Sequence, residues 1–416
     1  MIILVANLGS TSFKYRLLDH ANERELARGA IDRIGAGTGT CAVTAGEVTE
    51  RRDAAIADHG EAVAICLRQL TDSKLGILSS ADEIHAIGFK AVHGGRLSGA
   101  HRVTDKVLDA MAEMNAAAPA HNPPYIAAMK QLRQRYPEMP LVAAFETGFH
   151  QTIPESRSTY AIPSKWTREL RIRRYGFHGA SHRWIGTRLA ALIGAGGKVI
   201  SCHLGGSSSV TAIDDGKSVM TSMGMTPQTG LPQNNRVGDF DPFAIPLIQA
   251  ATAWDLDKVL AELSKSGGLA GISGRGGDLR DLHEAADAGD ADCRLAIDVF
   301  VEEIRRYIGG CMVALGQVDA IAFAGGIGEN DAKLRAAVCG GLENFGIVSR
   351  PDASPRPARQ TTRDETSSVQ SQSTLSGEFA FHDDVSKTQL WVIPTNEEWI
   401  VASQTVDVLT NAAEGT

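Results

Sequence analysis

Short apolar segments bounded by polar turns open the chain and return near its middle. Residues 2–6 are apolar, a turn of small and hydroxyl residues follows, and a second strand-like segment covers 13–18. The same order recurs in 199–202, the turn 203–209 and the segment 210–213. Because an apolar run between turn residues is typical of a buried strand, each copy predicts strand, turn and strand.

A second pair of segments supports an internal duplication. Residues 83–89 form a short apolar segment that ends near the paired glycines Gly94-Gly95, and residues 318–324 lead directly into Gly325-Gly326. The two matched pairs occur in the same order along the chain. They predict two similar halves with a ligand between them, since the period is far too long for a solenoid.

Helical periodicity fills the intervals between these strands. It predicts helices at about 59–71, 104–116, 123–135, 181–193, 255–265, 291–315 and 331–345, the last ending before Gly346. Strands that alternate with helices indicate an α/β fold. A chain of 416 residues exceeds what one core usually organises, so two domains are expected. The stretch 351–376 is rich in Ser, Thr, Pro, Arg and Gln, which predicts a flexible surface loop.

Charge and composition narrow the possible partners. The chain has 41 Lys+Arg against 49 Asp+Glu and a net charge of -8, which argues against binding nucleic acid or an anionic membrane through a general basic field. No apolar run approaches the roughly 18–20 residues that cross a bilayer, and the start of the chain is typical of a strand rather than a signal peptide. A cytoplasmic protein with six scattered, reduced cysteines is expected.

The two turns between paired strands are candidate anion sites. Successive backbone N–H groups beside Ser and Thr hydroxyls form a concavity for phosphate oxygens, so two such turns suggest a polyphosphate between two halves. Neither is a Walker A loop, because Thr211 replaces the glycine required before Gly216-Lys217-Ser218. Taken singly, each turn is better explained as an ordinary hairpin loop.

A third glycine cluster, Gly325 to Asn330, lies between a predicted strand and a predicted helix. In α/β proteins ligands bind outside the carboxyl ends of strands, so this segment is a candidate for contact with the sugar and base of a nucleotide.

Basic and imidazole side chains occur in Gly- or Pro-rich segments rather than on apolar faces. They are Lys90, His93, His121, His178 and Arg236. A loop-capping or solvated role explains any one of them, but together they suit phosphoryl transfer, where catalysis is mainly positioning and charge neutralisation. His178 and His182 lack a third ligand, so zinc is not indicated.

Acidic candidates are few. Glu146 follows an apolar segment, and Glu397 and Glu398 follow Thr395-Asn396. Mg²⁺ needs only one or two carboxylates beside water and substrate phosphates. The alternative for Glu397 and Glu398 is the first turn of a helix capped by Thr395 or Asn396, and both roles can coexist.

Eight segments, in order across nearly the whole chain, resemble motifs of the acetate kinase family. They are Asn7-x-Gly9-Ser10-Thr11-Ser12-x-Lys14, Val92-His93-Gly94-Gly95, His121-Asn122-Pro123-Pro124, Phe149-His150-Gln151-Thr152, Tyr175-Gly176-Phe177-His178-Gly179, Asp278-Leu279-Arg280-Asp281-Leu282, Gly326-Ile327-Gly328-Glu329-Asn330 and Pro394-Thr395-Asn396-Glu397-Glu398. The resemblance implies two duplicated actin-like (ribonuclease H-like) domains with a nucleotide cleft between them. We place the first at 1–150 together with a C-terminal helix at about 395–416, and the second at 151–394.

The resemblance also implies roles for individual residues. Asn7 and Glu397 would position Mg²⁺, with Mn²⁺ as an alternative, and Lys14 would approach the nucleotide phosphates. The ATP site would be lined by His203, Leu204, Gly205, Gly206, Ser207, Asp278, Leu279, Arg280, Gly326, Ile327, Gly328, Glu329 and Asn330. The catalytic residues would be Glu146, His178 and Arg236, and those that bind the acid would be Lys90, Val92, Ala120, His121, Phe177 and Pro227.

Departures from the family pattern affect both substrates. Lys90 replaces an arginine and loses its planar fork, whereas Glu146 replaces an aspartate and reaches one methylene further, so the two are a candidate compensating pair. Gly206-Ser207 stands where the family usually has Asn-Gly, which removes a side-chain donor from the second turn. Ala120 replaces a larger aliphatic residue, and the enlarged pocket is expected to admit propionate or a somewhat larger acid.

The expected activity is that of a carboxylate kinase, in which ATP and acetate or propionate reversibly give ADP and an acyl phosphate. Two alternatives stay open: a catalytically impaired ATP-binding homologue with a regulatory role, and a kinase for a larger carboxylate such as butyrate. The resemblance implies a homodimer, and no nucleic-acid or membrane partner is expected.

Overall fold

The computed structural model describes residues 1–9, 11–119, 121–194, 196–353 and 375–413. Its strands are β1 (Ile2–Leu8), β2 (Ser12–Asp19), β3 (Arg24–Asp32), β4 (Thr38–Ala45), β5 (Val48–Ala55), β6 (Ala86–Ala91), β7 (Ala100–Arg102), β8 (Leu141–Phe145), β9 (Lys198–His203), β10 (Ser209–Asp214), β11 (Lys217–Thr221), β12 (Ala320–Ala324), β13 (Phe379–Ala380) and β14 (Gln389–Val392).

Helices connect and cover these strands. They are α1 (His59–Leu70), α2 (Asp105–Ala112), α3 (Asn122–Arg135), α4 (Glu155–Ser158), α5 (Ser164–Glu169), α6 (Gly179–Ile193), α7 (Ile245–Thr252), α8 (Leu256–Lys265), α9 (Gly268–Ser273), α10 (Leu279–Asp287), α11 (Ala291–Leu315), α12 (Gly325–Asn330), α13 (Ala332–Cys339) and α14 (Glu397–Ala413). Short 3-10 turns lie at Ala81–Glu83, Gly148–Thr152, Pro242–Ala244, Glu343–Phe345 and Pro351–Ala353.

The chain folds into two compact units. Unit 1 comprises Met1–Gly148 and Asn396–Thr416, and unit 2 comprises Phe149–Thr395. The domain limits expected from the sequence, near 150 and 395, lie close to these bounds, and the assignment of each unit as an independent domain stays a prediction.

Each unit is built on one sheet with the same strand order at its centre. In unit 1 the order is β5-β4-β3-β2-β1-β6-β8-β7, and in unit 2 it is β11-β10-β9-β12-β14-β13. Three antiparallel strands are followed by two parallel ones in both units. The register matches as well, because Ala6 pairs with Phe89 and Cys202 pairs with Phe323. The predicted α/β class with two actin-like halves is confirmed.

Both sheets carry an apolar core. In unit 1 Phe13, Phe89 and Tyr125 are fully buried, and in unit 2 Phe300 and Phe323 are. All six cysteines are free and buried. Within the described residues, none of the helices combines the length and apolarity that a membrane span needs.

Two sequence expectations about local structure need correction. The helix predicted at 331–345 ends at Cys339, because Gly340 is extended and Gly341 has a φ of +72°. A separate 3-10 turn follows, and Gly346 ends it in the left-handed conformation as predicted. Helix α10 was not predicted, although Asp278 caps it by accepting a hydrogen bond from Arg280 N. Most of the predicted loop at 351–376 lies outside the described residues.

Candidate active site

The carboxyl ends of parallel strands bring three predicted site residues to one edge of the unit 1 sheet. Asn7 lies near the end of β1, Lys90 near the end of β6, and Glu146 directly after β8. The backbone N–H of Glu146 donates to Ala91 O at 2.9 Å, which fixes the backbone of Glu146 beside the end of β6. Neighbouring parallel strands end together, so sequence positions far apart become adjacent.

Lys90 lies between two carboxylates. Its ammonium donates to the carboxylate of Glu397, at the start of α14, and lies 4.0 Å from Glu146 Oε1. The side chains of Lys90, Glu146 and Glu397 are only 18%, 8% and 12% exposed. Lys90 and Glu146 are thus neighbours, as the compensating-pair hypothesis requires, but the closer partner of Lys90 is Glu397, which the sequence assigned to the metal.

Asn7 is held by a residue that the sequence analysis did not single out. The Tyr125 hydroxyl donates to Asn7 Oδ1 at 3.2 Å and accepts from Leu8 N at 2.9 Å. Burial raises the pKa of the Tyr125 hydroxyl well above its ordinary value, so it stays a donor. An amide oxygen fixed in this way is preorganised as a cation ligand.

Lys14 lies opposite Asn7 across the β1–β2 ladder. Both line a cavity of about 310 Å³ in unit 1, together with Arg16, Arg28 and Glu398. Three cationic side chains line this cavity, but Arg16 pairs with Glu25 and Glu398, and Arg28 pairs with Glu25.

The predicted acid-binding residues of unit 1 are only partly described. Val92 is half-buried, and His121 is the residue that precedes α3 at its N-cap. Ala120 lies outside the described residues. The neighbouring His93 is buried, and its Nδ1 accepts from Gly95 N at 3.0 Å, which accounts for its place as a structural residue.

In unit 2 the β9–β10 turn (residues 204–208) and the third glycine cluster are joined by backbone hydrogen bonds. Leu204 N donates to Ala324 O at 2.7 Å, and Leu204 O accepts from Ile327 N and Gly328 N at 2.9 and 3.1 Å. Gly325 has a φ of +77°, and a Cβ there would lie 2.6 Å from Leu204 O. Only glycine permits this close approach of the two loops.

A cavity of about 820 Å³ opens at these loops. The predicted ATP-site residues that line it are Gly205, Gly206, Asp278, Leu279, Arg280, Gly326, Ile327 and Asn330. Residues that line it but were not predicted are Asn234, His283, Asp331, Ala332 and Lys333. His283 lies one helical turn after Leu279, and Asp331 to Lys333 follow the glycine cluster directly, so helical spacing is a signal that could have found them.

The remaining predicted ATP-site residues do not line this cavity. Gly328 and Leu204 make the backbone bonds between the loops, and Glu329 Oε1 accepts from Gly325 N and Thr395 N at 2.9 and 3.2 Å. Glu329 therefore positions the loops that follow β12 and β14. His203 and Ser207 instead contact the predicted catalytic residues.

His178 has the backbone of a functional position. Its φ of +55° is left-handed, which costs energy in a residue other than glycine, and it lies at the start of α6. Its Nδ1 lies 2.8 Å from Ser209 Oγ, and its ring stacks on His203 with centroids 4.3 Å apart. His203 Nδ1 in turn lies 2.8 Å from Ser181 Oγ. The imidazole of His178 is thus fixed on two sides.

Two further histidines hydrogen-bond to Ser209 and Phe177, which are neighbours of His178. His182 is buried between Ser201 and Ser209, at 2.8 and 2.7 Å, and burial lowers its pKa well below the ordinary value. His150 Nε2 donates to Phe177 O at 2.8 Å, and burial lowers the pKa of His150 to about 4. Both imidazoles are therefore neutral near pH 7.

Arg236 is held by the β9–β10 turn. Its Nη1 donates to Ser207 Oγ at 3.2 Å and to Gln233 Oε1 at 3.1 Å, and burial lowers its pKa. Gln233, which the sequence analysis did not predict, also donates from Nε2 to Pro227 O at 2.7 Å. One buried amide therefore connects the predicted catalytic arginine with a predicted acid-binding residue.

The sequence matches the model of the Acetokinase family over residues 2–403. It is 39% identical over 410 residues to the acetate kinase of Halalkalibacterium halodurans, which covers 97% of this chain and 99% of that protein. The solved acetate kinase of Porphyromonas gingivalis has a TM-score of 0.86 and 31% identity, covering 98% of this chain and 99% of that one. A propionate kinase from Francisella tularensis has a TM-score of 0.85 and 31% identity, with the same coverage of 98% and 99%.

Proposed function

This chain belongs to the acetokinase family, and from that premise we propose that it reversibly transfers the γ-phosphoryl group of ATP to acetate or propionate. The resemblance read from the sequence motifs is thereby confirmed. The observation that carries the proposal is the β9–β10 turn with the first residue of β10: the turn lines the cavity of about 820 Å³, and two serines of this segment bind the predicted phosphoryl-stabilising side chains. Ser207, within the turn, holds Arg236, and Ser209, directly after it, holds His178.

In the proposed reaction an oxygen of the acid forms a bond to the γ-phosphorus while the bond to the bridging oxygen of ADP breaks. No proton changes hands, so the protein has to position the reactants and offset charge on the transferring group. Arg236 and His178 offset that charge. Lys90 binds the acid's carboxylate, and Glu146 orients Lys90. Of the apolar residues that the resemblance implies for the acyl chain, Val92 belongs to unit 1, and Phe177 and Pro227 belong to unit 2.

The residues of unit 1 fit a magnesium ion. Among the described residues no three His, Cys, Asp or Glu side chains form a metal-holding group, so a resident cation would have few protein ligands. Mg²⁺ accepts such a site, because it retains waters and binds substrate phosphates. The Asn7 amide oxygen is preorganised by Tyr125, and the Glu397 carboxylate already binds a cationic group. We propose that Asn7 and Glu397 hold Mg²⁺, or Mn²⁺, which would neutralise phosphate charge.

An acyl-phosphate assay tests the proposal. Purified protein with Mg-ATP and acetate, propionate or butyrate should give acyl phosphate that hydroxylamine traps as the hydroxamate, with acetate or propionate preferred. Strong preference for butyrate would favour the larger-acid alternative. The double variant Lys90→Arg/Glu146→Asp is the matched comparison, since it restores the pattern usual in the family and is expected to narrow acid preference rather than abolish turnover.

Loss of turnover with all three acids would contradict the kinase proposal. ATP binding measured on the same sample then separates the alternatives. Binding without turnover would support a catalytically impaired, regulatory homologue.

We also propose that the protein is a cytoplasmic homodimer that binds neither nucleic acid nor membrane. The net charge of -8 supports the absence of those partners. Support for the dimer comes from exposed apolar side chains on α7, α8 and the turn before them, where Phe243 and Leu247 are 83% and 72% exposed. Light scattering should give the dimer mass, and Phe243→Ser/Leu247→Ser should lower it to that of one chain.

A further inference from the structure

The β9–β10 turn lacks a side chain at the position that faces the large cavity. A Cβ built on Gly206 would lie 3.6 Å from Nδ2 and 3.9 Å from Cγ of Asn234. Asn234 comes from a separate loop of unit 2, and both residues line the cavity. The carboxamide of Asn234 therefore lies in van der Waals contact with the place that a side chain of residue 206 would enter.

The backbone of Asn234 is tightly fixed. Its N–H donates to Gly206 O at 3.4 Å, and its carbonyl accepts from Ala270 N at 2.9 Å. A Cβ on Gly277 would lie 2.0 Å from Asn234 O, so the neighbouring loop has closed against this carbonyl. The carboxamide therefore extends from a rigid backbone, so ordering it against a ligand costs less conformational entropy.

The carboxamide oxygen of Asn234 is unpaired among the described residues. Asn234 Oδ1 is buried, and it has no hydrogen-bond partner within the part of the chain that the structure describes. Oδ1 is an acceptor, so the atom of this carboxamide that can meet a phosphate oxygen is the donor Nδ2, which lies beside the open position above Gly206.

We propose that Asn234 contacts the phosphate chain of the nucleotide and supplies the side-chain amide donor that Gly206 lacks. This inference rests on the proposed use of ATP. Arg236 lies two residues further along the same loop and binds Ser207 of the turn, so this loop presents both a guanidinium and an amide to the turn. Asn234 is then a specificity residue that favours nucleotides over the nucleoside without phosphate.

Calorimetric titration of the full chain with ADP, ATP and adenosine tests this assignment. Asn234→Ala should weaken ADP and ATP binding about 10-fold and leave adenosine binding unchanged, since one hydrogen bond to a charged group is lost. Asn234→Asp keeps the shape but replaces the donor with a negative charge, so its loss should exceed that of Asn234→Ala. Asn235→Ala, at the exposed neighbouring position, is the matched control and should bind all three as the wild type does.

The transfer variant Gly206→Asn/Asn234→Gly gives a second, independent readout. This double variant places the amide on residue 206 of the β9–β10 turn instead of on residue 234. Its Kd for ADP should lie within about threefold of the wild-type value, whereas Asn234→Ala should raise that Kd about 10-fold. Equal ADP affinity in wild type and Asn234→Ala, or an equal loss for adenosine, would overturn the inference. If the wild type bound no nucleotide at all, the proposed function itself would fail, which is a distinct result.

Discussion

The Lys90 ammonium holds two carboxylates of unit 1 together, and its removal should destabilise that unit measurably. In Lys90→Met the apolar stem is retained while Glu146 and Glu397 lose their shared cation. Breaking a buried ion pair from one side costs about 3–5 kcal/mol. Because Lys90 is 18% exposed, we take the lower end, about 3 kcal/mol. In a unit of this size each kcal/mol shifts Tm by about 2–4 °C, so a fall of about 6–12 °C is expected.

Magnesium should reverse part of this loss. In the wild type the Lys90 ammonium already binds Glu397, and Mg²⁺ has to compete with it. In Lys90→Met that competition is absent, so the rise in Tm on adding Mg²⁺ should be larger than in the wild type. A ligand at 100 times its Kd stabilises by about 2.7 kcal/mol, which is enough to recover most of the deficit.

Calorimetry or circular dichroism in chelator-treated buffer, with and without Mg²⁺, measures both effects. Lys90→Arg is the control, since it keeps the charge and should retain the wild-type Tm. Glu146→Gln added to Lys90→Met removes one of the two repelling carboxylates and should recover part of the Tm. A Lys90→Met protein as stable as the wild type in the absence of Mg²⁺ would refute the reasoning.

Three further perturbations test unit 2. Burial lowers the pKa of His150 to about 4 in the folded protein, against an ordinary value of 6.5. Between these values the unfolded chain binds more protons, so the free energy of unfolding should fall as pH drops from about 6.5 to 4. His150→Gln should flatten this pH dependence when stability is measured by urea titration. Arg188→Met should cost about 3–5 kcal/mol by stranding Glu378, its bidentate partner at 2.7 and 2.9 Å, and Arg188→Met/Glu378→Leu should recover it. Gly268→Ala, at a φ of +61° with its Cβ 2.6 Å from Arg236 O, should lower both Tm and kcat/KM.

The duplicated strands and turns could be predicted because their signal is local. Each strand–turn–strand copy occupies fewer than 20 residues, and hydrophobic alternation within it specifies which groups pair. The pairing of Asn7 with Lys14 across β1 and β2 follows directly from such a hairpin. The longest predicted helix, 291–315, agrees with α11 for the same reason, since its apolar period runs unbroken for 25 residues.

Side-chain partnerships between distant segments could not be predicted. Lys90 and Glu397 are 307 positions apart, and only the packing of α14 on the unit 1 sheet makes them neighbours. Gln233 and Asn234 carry no motif of their own, since an uncharged amide in a loop is usually a solvated turn residue. Only the folded loop shows their neighbours: Gln233 lies beside Pro227, and Asn234 lies beside Gly206.

The matched register of the two sheets places different chemical groups at equivalent positions. Ala6 with Phe89 and Cys202 with Phe323 are equivalent pairs, so the next residues are equivalent as well: Asn7 with His203, and Lys90 with Ala324. Where unit 1 has a cation, unit 2 has a methyl group followed by Gly325, which allows close backbone approach. Substitutions at the unit 1 edge should therefore change the dependence of rate on acid or metal concentration, whereas those at the unit 2 edge should change its dependence on nucleotide.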